Sequence, residues 1–247
     1  MNDSKITKPS IDLVDLVPMD LFTADYPIII DPAYARADNL LFGARIYRSD
    51  ARLWLHIDLA RVVVLAARLI HDQSGYACVL YDGLRTIEAQ AAMLDTQRVR
   101  ENPHWLEEPR LLSPPGTGAH PRGMAIDMAL VDADGGLIDM GTKFDDLTEK
   151  AHRDYTHAPQ VLQNRAILTN GMMEAARQLE TPLWPLPQEW WDFRLPPEVY
   201  ESYDPLSDHI LPPQMRCVLE ADDSIRNFES GHFDALKTEI LEDLNHG

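Results

Sequence analysis

A stretch that reads H-P-R-G-M-A-I-D constrains this chain more than any other. It begins with His120 and ends with Asp127, and apolar and small residues alternate from its middle onward, which predicts a strand over residues 124–131. On one regular strand the odd separation would put the two side chains on opposite faces, so they converge only if the chain bends, and Pro121 and Gly123 favour a bend. An imidazole and a carboxylate brought together suit zinc or a similar divalent ion. The alternative is a capped loop that runs into an ordinary strand.

Composition and charge narrow the class of protein. The 247 residues carry 22 Lys+Arg against 40 Asp+Glu, a net charge of −18, and so acidic a surface repels phosphate backbones, which argues against a nucleic-acid partner. No apolar run is long enough to cross a bilayer, so no membrane association is expected. The N-terminus lacks the apolar segment of a secretory signal, and the two cysteines, Cys78 and Cys217, make no disulfide framework, so the cytoplasm is the expected location.

The order of the predicted elements favours an α+β fold. An Asp-Gly-Gly turn after the strand at 124–131 implies an antiparallel pair. We therefore predict a small central antiparallel or mixed sheet flanked by helices. Strands are predicted over residues 26–30, 76–81, 124–131 and 188–194, and helices over residues 56–73, 86–100 and 159–179.

One main domain is expected, over residues 26–199. Residues 1–25 are expected to form an N-terminal tail or cap, and the acidic residues 200–247 an extension that packs on the same domain or is partly flexible. A long loop over residues 101–119, rich in proline and glycine, leads to His120. Long loops in compact domains are often functional.

Five segments carry polar residues in patterns that occur together in one family. Residues 34–40 read Y-A-R-A-D-N-L, residues 81–85 Y-D-G-L-R, residues 118–127 G-A-H-P-R-G-M-A-I-D, residues 140–145 M-G-T-K-F-D and residues 189–192 E-W-W-D. In that order they resemble Y-A-T-x-x-N-F, Y/F-D-x-Y-R, S-x-H-x-x-G-x-A-x-D, M-G-x-x-F-D and E-W-W-H of the D-alanyl-D-alanine dipeptidases of the vancomycin-resistance type. These are zinc peptidases related to the D,D-carboxypeptidases. The resemblance implies a zinc D,D-peptidase-like fold and makes the main domain the catalytic one.

The resemblance implies a metal centre with one changed ligand. The positions of His120 and Asp127 hold zinc in the family, together with the histidine of E-W-W-H, which is Asp192 here. Two carboxylates would neutralise a divalent ion and leave its bound water less acidified, so another divalent metal is expected to compete with zinc. His209, the nearest downstream histidine, is an alternative third ligand.

The resemblance also implies the residues that act on the substrate. Glu189 corresponds to the general base, which takes a proton from water and passes it to the leaving amine, and Arg85 to the cation that stabilises the oxyanion. On the predicted strand Glu189 cannot point the same way as Asp192, which suits a base rather than a ligand. Asp145 and Tyr34 match positions that receive the free amino terminus of the substrate. A buried carboxylate there favours dipeptides, because an acylated terminus would strand its charge.

The end of the pocket that binds the substrate carboxylate departs from the family. The serine that opens the signature is Gly118 here, and Ala119 adjoins the histidine. The activity implied is metal-dependent hydrolysis of D-Ala-D-Ala or a related D-amino-acid dipeptide. The alternatives are a hydrolase of the same fold that acts on another peptidoglycan-type peptide, and a binding or regulatory relative without catalysis. Glu189 and Arg85 argue against lost catalysis, because neither is needed merely to hold a metal.

Overall fold

Strands and helices alternate irregularly along the chain. The computed structural model describes residues 8–108, 110–220 and 230–246. The strands are β1 (Leu16–Pro18), β2 (Ile28–Ile30), β3 (Trp54–His56), β4 (Ala77–Asp82), β5 (Ala125–Val131), β6 (Trp184–Pro185) and β7 (Asp192–Arg194). The α-helices are α1 (Ile57–Ser74), α2 (Ile87–Leu94), α3 (Gln97–Glu101), α4 (Pro159–Gln178), α5 (Pro197–Tyr200) and α6 (Ser230–His246).

A mixed five-stranded sheet forms the centre of the fold. Its strand order is β2-β4-β5-β7-β6, in which β2 and β4 are parallel and the other neighbours are antiparallel. β1 and β3 form a separate antiparallel pair. The α+β prediction is confirmed. After β5 the predicted hairpin is reduced to one antiparallel bridge, between Val131 and Leu137.

The register of the three central strands brings three aspartates into one row. Asp82 at the end of β4 lies opposite Asp127 in β5, and Asp127 lies opposite Asp192 at the start of β7. A register shift between Leu80 and Asp82 accompanies this pairing. Such a bulge re-aims the side chains that follow it, and directly opposed residues have Cβ atoms about 4.5–5.5 Å apart. The backbone alone therefore holds the three carboxylates close together.

Helix α1 supports this sheet with a continuous apolar face. Leu59, Val63 and Ile70 recur at helical spacing and are fully buried. Each such side chain stabilises the fold by about 1.5–3 kcal/mol. α1 packs against α4, and a Cβ built at Gly171 of α4 would lie only 2.3 Å from Ile70 Cγ1. A glycine at that position therefore lets the two helices approach closely.

The helix predicted over residues 86–100 is two helices in the structure, α2 and α3. Its first half begins as predicted, because the Thr86 hydroxyl accepts a hydrogen bond from the Ala89 N–H at 3.4 Å. It breaks where the Thr96 hydroxyl donates to the Met93 carbonyl at 2.9 Å. Local bonds of this kind compete with the helical ladder, so the chain turns before α3 begins.

Residues before position 26 pack on the same core as the main domain. Leu16 and Phe22 are fully buried in the core. Near the other end, Arg61 of α1 forms ion pairs with two carboxylates of α6. Within the described ranges, no helix combines the length and the apolar content that a membrane span requires. Residues 1–7 and 221–229, which belong to the predicted terminal segments, lie outside the described residues.

Candidate active site

The row of aspartates lies beside a cavity of about 320 Å³, which Asp127 and Asp192 line. Asp82, Asp127 and Asp192 are 1%, 2% and 0% exposed. Carboxylates directly opposite one another repel, and burial strengthens the repulsion, so the row requires neighbouring cations. Among the described residues, Arg85, Arg194 and His120 lie within ion-pair distance of it.

Arg85 neutralises the β4 end of the row. Its Nε donates to Asp82 Oδ2 at 2.8 Å, and its Nη2 lies 3.5 Å from Asp127 Oδ2. The Tyr47 hydroxyl donates to the other oxygen of Asp82 at 2.7 Å. The guanidinium also stacks over the Tyr34 ring, 5.3 Å from its centroid. Arg85 is therefore fixed from several sides while it still lines the cavity.

Arg194 neutralises the β7 end. Its Nε donates to Asp192 Oδ1 at 2.7 Å, and its Nη2 donates to Asp192 Oδ2. Alternate residues of a strand face the same side, so the D-F-R sequence of β7 places the carboxylate and the guanidinium together. Both oxygens of Asp192 are thus engaged by one fork, the strong bidentate form of this pair.

His120 enters the site because the chain bends, as predicted. A 3-10 turn at His120–Arg122 ends at Gly123, whose φ of 63° favours glycine, and β5 follows. The imidazole Nδ1 lies 2.8 Å from the Gly83 carbonyl, so Nδ1 donates there and Nε2 is the nitrogen that a metal ion can take once its proton is lost. Nε2 lies 3.5 Å from Asp127 Oδ1 and 3.4 Å from Asp192 Oδ2.

These donor atoms fit a divalent ion. Asp127 Oδ1 is buried and has no hydrogen-bond partner, which is costly for a carboxylate oxygen. Donors about 2.1 Å from a tetrahedral ion lie about 3.4 Å from each other, close to both Nε2–oxygen distances. Ligand-type atoms of Asp82, His120 and Asp127 also lie within 4.8 Å of one another. Imidazole nitrogen with carboxylate oxygen is a set that zinc accepts and that harder ions also accept.

Glu189 lies close to the same atoms, and its prediction as a strand residue is wrong. Residues 187–191 form turns, and β7 begins only at Asp192. The strand alternation that would separate Glu189 from Asp192 therefore does not apply. Carboxylate oxygens of Asp127, Glu189 and Asp192 lie within 4.8 Å of one another. The predicted base is thus beside the predicted ligands.

Burial and neighbouring charges raise the pKa values of Glu189, His120 and Asp127. Burial raises the pKa of Glu189 to about 7, and repulsion from Asp192 and Asp127 adds to the rise. Burial and Arg85 lower the pKa of His120, but the two neighbouring carboxylates outweigh them and raise it to about 10. A metal ion that takes Nε2 therefore has to displace a proton. Burial raises the pKa of Asp127.

Asp145 and Tyr34 form a second polar group in the cavity. The Tyr34 hydroxyl donates to Asp145 Oδ1 at 2.9 Å, while Asp145 Oδ2 is buried without a hydrogen-bond partner. Asp145 has a φ of 65°, which is uncommon for a non-glycine residue and re-aims its side chain. The preceding Phe144 holds the segment by stacking on Tyr81 and contacting Trp191 edge-on. Burial raises the pKa of Asp145 well above its ordinary value.

The loop before His120 also borders the cavity. Gly118 and Ala119 line it together with residues 110–113. Gly118 has a φ of 83°, and a Cβ built on it meets nothing within 4 Å. A serine there would be strained by its backbone rather than by crowding.

His209, the alternative third ligand, lies away from the cavity, and Arg194 and Tyr47 were not predicted to belong to the site. His209 has a side chain that is 72% exposed and lies 3.9 Å from Glu88, outside the cavity lining. Arg194 and Tyr47 hold the two outer aspartates, and neither belongs to a predicted motif. The D-x-R spacing on a strand was a usable signal for Arg194, whereas Tyr47 meets Asp82 only through the fold.

Comparisons with known proteins find one matching family and two similar proteins. The family profile described as D-ala-D-ala dipeptidase (Peptidase_M15) matches residues 12–212. The D-alanyl-D-alanine dipeptidase of Escherichia coli (strain K12) is 32% identical over 199 residues, which cover 80% of this chain and 92% of that protein. The crystal structure of the Serratia marcescens L-Ala D-Glu endopeptidase ChiX is 20% identical, with a TM-score of 0.36 over 59% of this chain and 84% of that one.

The sequence match spans every element that lines the cavity. Residues 12–212 include all five motifs and the whole aspartate row. The identity to the Escherichia coli enzyme extends over most of both chains. The chain belongs to the D-alanyl-D-alanine dipeptidase family of metallopeptidases.

Proposed function

We propose that this protein hydrolyses D-Ala-D-Ala, or a closely related D-amino-acid dipeptide, with a divalent ion held by His120, Asp127 and Asp192. One observation carries the proposal. Among the described residues, two buried carboxylate oxygens without hydrogen-bond partners belong to residues that line the same cavity, Asp127 Oδ1 and Asp145 Oδ2. The first suits a metal ion and the second suits the ammonium group of a free dipeptide.

Zinc is the ion we propose, with harder divalent ions as competitors because two of the ligands are carboxylates. When bound, such an ion polarises the scissile carbonyl and makes water a better nucleophile. The protein would supply the remaining groups. The imidazole of His120 is already oriented for this role by the Gly83 carbonyl, which fixes its tautomer.

Glu189 is the proposed general base. It takes a proton from the attacking water and returns it to the leaving amine, so that one water and one dipeptide give two amino acids. A pKa of about 7 places this carboxylate near the value at which proton transfer in both directions is efficient. Its carboxylate also lies beside Asp127 and Asp192, within reach of a nucleophile that forms there.

Arg85 is the proposed oxyanion cation. It lines the cavity, and its bonds to Asp82 and its stacking on Tyr34 hold the guanidinium before the substrate arrives. A preorganised cation stabilises developing negative charge without the cost of reorganisation. Arg85 therefore faces the scissile carbonyl in this proposal, while Asp145 and Tyr34 receive the amino terminus.

A different dipeptide substrate is the second candidate, and Gly118 favours it. The space beside Gly118 is free of neighbouring atoms within 4 Å of a Cβ, at the end where the substrate carboxylate is expected. A C-terminal residue larger than alanine would fit that space. Relative rates on D-Ala-D-Ala and on D-Ala followed by a larger residue distinguish the two candidates.

The activity test measures free amino acids released from D-Ala-D-Ala, L-Ala-L-Ala and N-acetyl-D-Ala-D-Ala. We expect release from the first, little from the second, and poor release from the third, because an acetylated terminus leaves Asp145 without an ammonium partner. Removal of metal with a chelator should abolish the activity, and added zinc should restore it. Equal rates on free and acetylated dipeptides would refute the role of Asp145, and activity that survives metal removal would refute the metal.

We also propose the cytoplasm as the location. The support is that Cys78 and Cys217 are both buried free thiols, which a reducing compartment preserves. Fractionation of cells that express the protein with its native termini tests this. Recovery outside the cytoplasmic fraction would contradict it.

A further inference from the structure

The ion pair between Asp192 and Arg194 lies at the edge of the proposed metal site. Asp192 has a side chain that is 1% exposed, and Arg194 one that is 13% exposed. The guanidinium engages both carboxylate oxygens, and one of them, Oδ2, is also the oxygen that lies 3.4 Å from His120 Nε2. One oxygen is therefore shared between the arginine and the proposed metal position.

The charges of the row can be counted from one end to the other. With His120 neutral, as a metal ion at Nε2 requires, Asp82, Asp127 and Asp192 contribute three negative charges, and Arg85 and Arg194 contribute two positive ones. The outer two aspartates are each paired with an arginine, and the remaining negative charge is centred on Asp127, which has an unpartnered oxygen. A divalent ion at His120 Nε2 would give the row and the ion together a net positive charge. Without Arg194, the row and the ion together would be neutral.

We infer that Arg194 is a positioning residue of the metal site, which cancels the charge of Asp192 and presents that carboxylate as a neutral ligand. This inference rests on the proposed function, because it requires a divalent ion at His120 and Asp127. With its charge cancelled by Arg194, the aspartate at this position need not weaken the Lewis acidity of the ion. The ion keeps a residual positive charge, and only Asp127 offsets it among the proposed ligands.

The test measures the dissociation constants of Zn²⁺ and Mn²⁺ for the metal-free protein by competition with a chromophoric chelator. The variants R194Q and R194K form a matched pair that differs in charge. R194Q removes a cation next to the ion, so we expect both metals to bind about ten- to a hundredfold more tightly. R194K keeps the charge, and its affinities should stay within about threefold of the wild type. Lysine keeps the charge of Arg194 but not the guanidinium fork. Wild-type dissociation constants in R194K would therefore distinguish charge compensation from a merely structural role.

Arg61 provides a control outside the cavity. It also pairs with carboxylates, those of Glu239 and Asp243, and it does not line the cavity. R61Q should leave both dissociation constants unchanged. R194Q values equal to the wild type, or weaker binding in R194Q, would overturn the inference.

A second comparison covers the case in which R194Q is unstable, since it leaves a buried carboxylate unpaired. D192H leaves Arg194 as an uncompensated cation beside the ion, while D192H/R194Q removes both charges. We expect D192H/R194Q to bind zinc at least tenfold more tightly than D192H, and equal affinities would overturn the inference. If the wild type binds neither metal, the metal-dependent function fails and the inference fails with it. Metal binding by the wild type without these differences defeats the inference alone.

Discussion

The two ends of the aspartate row differ in what their carboxylates are free to do. At the β4 end, both oxygens of Asp82 accept hydrogen bonds, from Tyr47 and from Arg85. At the β7 end, Arg194 holds Asp192 by a fork, but Oδ2 still faces His120 Nε2. Asp82 is therefore committed to positioning Arg85, whereas Asp192 is paired and still available to a metal ion. Two similar Asp–Arg pairs are thus arranged differently, and the cavity lining includes Asp192 but not Asp82.

The largest effect is expected from Asp192→Ala, which removes the available carboxylate and strands Arg194. Asp192 would supply one of three protein ligands, so its loss should weaken metal binding by more than about a hundredfold. Metal content after dialysis, measured by elemental analysis, should fall with activity. Full metal content and unchanged metal preference would show that Asp192 is not a ligand.

Arg85→Lys should lower kcat/KM by roughly two to four orders of magnitude, because a flexible ammonium replaces a fixed oxyanion donor. Metal content should remain that of the wild type, since Arg85 is proposed to face the substrate. Steady-state kinetics on D-Ala-D-Ala check this. Near-normal activity would place Arg85 outside the reaction.

Asp82→Asn tests the β4 end of the row, where both carboxylate oxygens already accept hydrogen bonds. The amide still accepts a bond from Arg85 but no longer balances its charge, so we expect a fall of roughly ten- to a hundredfold in kcat/KM. Metal content should be retained, unlike in Asp192→Ala. If Asp82→Asn loses the metal instead, the ion is held at the β4 end, where ligand atoms of Asp82 also lie near His120 and Asp127.

The smallest expected effect is a shift in the pH dependence of the hydrolysis rate. Glu189 acts as a base only when deprotonated, and burial raises its pKa to about 7. The rate should therefore rise with pH through a limb at or below about 7, because a bound divalent ion lowers this pKa further. Arg194→Gln adds a net negative charge beside Glu189 and should move the limb upward. A rate that does not fall anywhere on the acid side of pH 7 would contradict the role of Glu189 as base.

Local patterns in the sequence predicted much of the fold and part of the site. Alternation predicted β5, and Gly123 with Pro121 predicted the bend that turns His120 toward Asp127. Helix α1 was predicted from its apolar spacing and from Gly75, which ends it in a left-handed conformation. These features depend on neighbours in the chain, so the sequence alone carries them.

Features that depend on distant contacts were not predictable in the same way. The short strand β3 owes its place to pairing with β1 and to the close approach of Gly83, where a Cβ would lie 2.5 Å from the Trp54 carbonyl. The turn that contains Glu189 resembles a strand in composition because of its two tryptophans. The aspartate row itself requires the register of three strands, which no local pattern fixes.

Anomalous X-ray diffraction from zinc-loaded crystals tests the proposed metal centre most directly. We predict one strong peak about 2.0–2.2 Å from His120 Nε2, Asp127 Oδ1 and an oxygen of Asp192, with Arg194 still paired to that aspartate. A peak coordinated by Asp82, a peak that excludes Asp192, or no peak at His120 would contradict the assignment of the site.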